Sequence, residues 1–195
     1  MFRQTIAATA LLTLFSLSPA LAQEATDYLG VPGPITVGGT EYVLAWSSNP
    51  QAGYFKQEYL PEGADPQSYD SMVMVEFLAT DMPLNAVVSA QVDMVNARKG
   101  TDPVANSAVF QNDESGELVL DFLLSAKDEN GKFILEWNGY RYAEASFEGE
   151  RGSLLFAISE RSYGNAEAEA FLGGLRDFKA QRTLELTQAE MPELE

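Results

Sequence analysis

The 195-residue sequence contains no cysteine and no histidine. Without cysteine the chain can form no disulfide, and it offers no thiolate nucleophile, no Cys-ligated zinc and no Cys-ligated iron–sulfur cluster. Without histidine there is no Ser-His-Asp triad, no imidazole base, no His-ligated metal and no axial ligand of that kind for haem. Basic side chains are scarce too. Twelve Lys and Arg stand against 29 Asp and Glu, for a net charge of −17. So few cations cannot displace counterions from phosphates, which argues against nucleic acid, and the charge disfavours anionic membrane surfaces. Gly-rich phosphate loops and a GxSxG nucleophile elbow are also missing. No catalytic residue, metal or cofactor is implied by what remains, whereas solubility, cations and basic partners are favoured.

The residues present can build a core: 46% are hydrophobic and 11% aromatic. The first 22 residues have the order of a secretory signal peptide. Arg3 supplies the charge, residues 6–17 are mostly apolar, and Ala20-Leu21-Ala22 gives the small-x-small ending. The apolar run is shorter than the roughly 20 residues that span a bilayer. The expectation is cleavage after Ala22, export to the periplasm or beyond, and no stable membrane insertion afterwards.

Behind this segment the pattern predicts a leader at 23–34, a single domain at 35–181 and a polar, acidic tail at 182–195. Gly38-Gly39 is a two-residue hairpin signal between residues 35–37 and 40–47. Further strands are predicted at 54–60 and 72–79. A first helix should begin near Asp81 as its N-cap, with Pro83 in the first turn, and bury Leu84, Val88, Val92 and Val95. Strand candidates follow at 108–111, 117–125, 132–137, 140–147 and 153–161, with Asn138-Gly139 read as the turn between two of them. A closing helix over 165–181 would bury Phe171, Leu175 and Phe178.

Hairpins dominate this order, so the predicted fold class is α+β: a mainly antiparallel sheet flanked by two helices, in two or three layers. The element order resembles the PsbP-type arrangement, in which helices flank a central antiparallel sheet. The stretch Tyr54-Phe55-Lys56-Gln57-Glu58-Tyr59-Leu60-Pro61 resembles one in uncharacterised exported proteobacterial proteins, a resemblance that implies no particular activity.

Three groups of residues could carry function. In the first, Gln57, Glu58 and Tyr59 either supply polar handles at the mouth of a pocket or simply belong to a strand with cross-strand pairs. In the second, Trp137, Tyr140 and Arg141 can bind a carboxylate or planar ligand, or can pack a turn and pair with a neighbouring acid. The third group comprises the strand acids Glu76, Asp121, Glu136, Glu144 and Glu160. They would act as general acid and base, or hold a hard cation, only if they converged in a cleft; otherwise they mark a wet sheet face. The sequence thus favours a non-catalytic binding or accessory protein of the cell envelope, taking an envelope protein or a small ligand. The alternative is a hydrolase built on carboxylates or on an oxygen-ligated metal. A lipid carrier would need an apolar cavity, and a protein-binding module an exposed apolar or aromatic patch.

Overall fold

Alternating apolar and polar residues run through most of the chain, and they form eight strands of a single sheet. The structure, a computed structural model, describes residues 25–195. The expected signal peptide at 1–22 lies outside the described residues. The strands are β1 (Ile35–Val37), β2 (Thr40–Gln51), β3 (Tyr54–Leu60), β4 (Ser71–Ala79), β5 (Asn106–Gln111), β6 (Leu118–Lys127), β7 (Phe133–Phe147) and β8 (Glu150–Tyr163). Two helices complete the fold, α1 (Leu84–Arg98) and α2 (Asn165–Gln188). The sheet order is β1-β2-β3-β4-β8-β7-β6-β5, with every neighbouring pair antiparallel.

The expected layered arrangement, a sheet flanked by two helices, is corrected by the shape of this sheet. Strands make up 44% of the described residues, and the sheet curls strongly into an eight-stranded half-barrel. Long strands explain the curl. The twist of each strand accumulates across the sheet, and β7 and β8 run for 15 and 14 residues. Two register shifts in β2, at Leu44/Trp46 and Ser48/Gln51, add local bending.

Each face has its own core. On one, α1 places Leu84, Val88 and Val95 over Leu120, Phe122 and Leu124 of β6, with Met72 and Met74 of β4 in the same cluster. On the other, α2 and the leader cover Val73, Val75, Trp137, Phe156 and Ile158. The first is the α1 face of the sheet and the second its α2 face.

Three local expectations also change. Asn138-Gly139 is not a turn. It lies inside β7, with Asn138 opposite both Phe122 and Ser159. The glycine is needed for packing: a Cβ there would stand 2.8 Å from Trp137 Cη2 and 3.3 Å from Leu186 Cδ2. Asp81 does not cap α1, because Pro83 holds the N-cap position in extended conformation with no side-chain cap. A residue before proline is steered away from helical geometry, so the helix cannot start earlier. Finally, α2 does not stop at Gln181 but continues through Gln188, with Leu186 fully buried.

Candidate functional site

Strand periodicity divides the six expected site residues between the two faces. Glu58 and Tyr140 lie on the α1 face, while Gln57, Tyr59, Trp137 and Arg141 lie on the α2 face. The structure therefore does not bring them together as one site.

On the α2 face these residues tie down chain ends. The Gln57 side-chain oxygen accepts from the backbone N–H of Tyr28 at 2.6 Å and of Leu29 at 3.0 Å. Its amide donates to the Tyr59 hydroxyl at 2.6 Å, and that hydroxyl donates to the Val31 carbonyl at 2.6 Å. Burial pushes the Tyr59 phenol above its ordinary pKa, which keeps it a donor. Arg141 forks onto Glu117, with N···O distances of 3.2 and 2.9 Å. It also donates to the Leu186 and Ala189 carbonyls at 3.3 and 2.8 Å, satisfying the C-terminal end of α2. Trp137 is fully buried, edge-on to Phe178 with ring centroids 5.7 Å apart.

The strand acids are separately neutralised. Glu76 accepts from the Tyr54 hydroxyl at 2.7 Å and lies 3.5 Å from Lys56, which also contacts Glu58 at 3.0 Å. Glu136 pairs with Arg161, Asp121 with Lys179 at 2.8 Å, and Glu160 with Arg182. Glu144 meets Arg151 at 3.7 Å in an exposed pair. Burial raises the Tyr54 phenol, helped by Glu76. Burial works against the Lys56 ammonium, but Glu76 and Glu58 still raise its pKa. Among the described residues no three acids gather in the manner of a metal site. Each of these five acids thus contacts a Lys or Arg, and Lys56 bridges Glu76 and Glu58.

The feature sequence reading underestimated is β5, predicted only as residues 108–111. It is a terminal strand of the sheet, reading Asn106-Ser107-Ala108-Val109-Phe110-Gln111, with no charge, proline or bulge among its residues. Val109 is 46% exposed and Phe110 53% exposed. Edge strands commonly carry Lys, Pro or a bulge that discourages pairing with another chain, and this one carries none of them.

Beside Asn106 a cleft of about 250 Å³ opens between the sheet and α2. Leu123 and Trp137 of the sheet line it, facing Leu172 and Leu175 of α2, and the Asp121–Lys179 pair closes one side. Leu172 is 41% exposed, and the buried indole N–H of Trp137 has no hydrogen-bond partner among the described residues. A second cleft of about 200 Å³, near Thr80 and Arg151, lies at the start of α1. Both are smaller than the 300–1,000 Å³ typical of small-molecule sites.

The sequence carried one usable signal for this edge, a short uncharged run just before the acidic turn at 112–117. Its terminal place in the sheet depends on the pairing of all eight strands.

No helix among the described residues is long and apolar enough to cross a membrane. No curated protein and no solved structure matches the sequence. A family model does match it, over residues 29–191, which spans both helices and all eight strands. The chain belongs to that family, a family of uncharacterised proteins.

Proposed function

We propose that the protein is an exported, non-catalytic binding module of the cell envelope that holds a polypeptide partner along β5. The observation that carries this reading is the uncharged terminal strand with Val109 and Phe110 exposed on it, beside an apolar cleft. An unprotected terminal strand with an exposed apolar side chain on each face is a surface on which another polypeptide can pair. Two further features support it. The clefts are small for a carried lipid or metabolite, and the strand acids are each bound to a cation of the chain. Export is supported by the order of charge, apolar run and small residues over 1–22 and by the resemblance of residues 54–61 to exported proteobacterial proteins.

The experiment is site-specific photo-crosslinking in the producing cell. A benzophenone side chain at position 110 should capture one discrete polypeptide. The same group at position 184, an exposed apolar position on α2, should capture none. Absence of any adduct from position 110, with the protein correctly exported, would contradict the reading.

A further inference from the structure

The ladder between β5 and β6 shows which backbone groups of the edge are free. Partners in this ladder include Asn106↔Leu123, Ala108↔Asp121 and Phe110↔Val119. Just beyond it, the Asn112 N–H donates to the Glu117 carbonyl at 2.9 Å. That bond makes the Asn112/Glu117 position a hydrogen-bonded one, and in an antiparallel ladder such positions alternate. Phe110, Ala108 and Asn106 therefore bond to β6. Ser107, Val109 and Gln111 turn their N–H and C=O groups outward, toward the open side of the sheet.

Side chains alternate as well. Ser107, Val109 and Gln111 lie on the α1 face, in register with Phe122, Leu120 and Leu118. Asn106, Ala108 and Phe110 lie on the α2 face, where the cleft begins at Asn106. A strand laid beside β5 would thus send alternate side chains to the α2 face, beside Phe110 and beside Asn106 at the rim of the cleft.

We propose that the partner supplies an extended segment that adds to β5 as a ninth strand, with apolar side chains on the α2 face and basic side chains beside the acidic turn. This deepens the reading of β5 as the partner-binding edge and rests on it. Main-chain bonds to Ser107, Val109 and Gln111 supply affinity, and the cleft between sheet and α2 selects the apolar residues. The charge follows from the surroundings. Exposed Asp113 and Glu114 follow the edge after Asn112, and the chain as a whole carries −17. That same charge makes a second copy of the chain a poor occupant, since two chains of like net charge repel.

The probes are two dye-labelled eight-residue peptides, one alternating Lys with Val and Phe, the other with Glu in place of Lys. Fluorescence anisotropy with the purified protein should show the Lys peptide binding at least tenfold tighter than the Glu peptide, with the difference shrinking at high salt. Val109→Pro removes an outward N–H that the fold does not use. It should weaken the Lys peptide at least tenfold while leaving the unfolding midpoint nearly unchanged. Ala108→Pro, which removes a bond to β6, should lower that midpoint.

Should Val109→Pro itself unfold, the peptide carries the test. N-methylation of its alternate nitrogens should abolish binding for the set facing β5 and spare it for the other set. No effect of either backbone change would overturn strand addition, and equal binding of both peptides would overturn the basic partner. Position 110 would still crosslink in that case, and the broader reading would stand. A dimer lost in Val109→Pro would also overturn the proposal, by naming a second copy as occupant.

Discussion

At one end of the sheet β1 offers only three residues, and the last turns of α2 press against the hairpin that follows it. A side chain on Gly38 would collide with Glu185, and Arg182 reaches across to the Tyr42 hydroxyl at 3.2 Å and to Glu160. The leader and the last residues reinforce this end, with the Glu195 N–H donating to the Leu29 carbonyl at 3.1 Å. At the other end β5 presents six uncharged residues and three outward-facing backbone positions. Unpaired edge groups invite association. One end of this molecule is shortened, charged and covered, and the other carries six uncharged residues with no proline or bulge. The contrast teaches that the open edge is a particular property of β5 and not a general looseness of the fold.

The largest effect of substitution is expected at the closed end. Arg182→Ala strips Glu160 of its cation and Tyr42 of a donor inside a cluster where both charged side chains are 14% exposed. Removing one member of a buried pair costs about 3 kcal/mol or more. Urea unfolding should show that loss, while peptide binding at β5 in the folded protein should be unchanged. Coupled loss of binding without unfolding would mean that the two ends are not separate.

A smaller effect concerns protons. Burial pushes the Glu160 carboxyl up, outweighing the opposing pull of Arg182 and of the Ser71 hydroxyl that donates to it at 2.9 Å. Folded Glu160 therefore binds its proton more readily than unfolded Glu160. Its contribution to stability is full below the ordinary carboxylate range and is lost as pH rises through the raised value. Measured against Glu160→Gln, the wild-type protein should gain in relative stability between pH 7 and about pH 4. A constant difference between the two unfolding curves would remove this account of the cluster.

The sequence showed where most of the strands lie but not the curl of the sheet they form. Hairpin glycines and period-two alternation were enough to anticipate β1, β3, β4 and β6 closely and the middle of β2 and β8, because such signals are local, whereas β7 was expected as two strands. Asn138-Gly139 misled for the opposite reason. The dipeptide has turn chemistry, yet Gly139 is small because Trp137 and Leu186 occupy the space where a side chain would be, and that crowding comes from a helix far along the chain. The end of α2 misled similarly. Residues 182–195 look like a polar tail, but Leu186 is buried and Arg182 is drawn to Glu160 on the sheet.

For the candidate site, Gln57 and Tyr59 were conspicuous as polar groups in a strand and Arg141 as a guanidinium among aromatic rings. Their partners are the leader and the end of α2. Glu58 and Tyr140 share a face without sharing a cleft. The edge itself left almost no trace, since an uncharged run of six residues means nothing until its place at the end of the sheet is known.

The most direct measurement is backbone amide exchange along β5, followed residue by residue with and without the Lys peptide. In the free protein Ser107, Val109 and Gln111 should exchange fast and Ala108 and Phe110 slowly, because only the latter two are bonded to β6. Saturating peptide should slow the first three at least tenfold and leave the closed end of the sheet unaffected. If Ala108 and Phe110 are the fast pair, or if bound peptide leaves Ser107, Val109 and Gln111 unprotected, β5 is not the binding edge described.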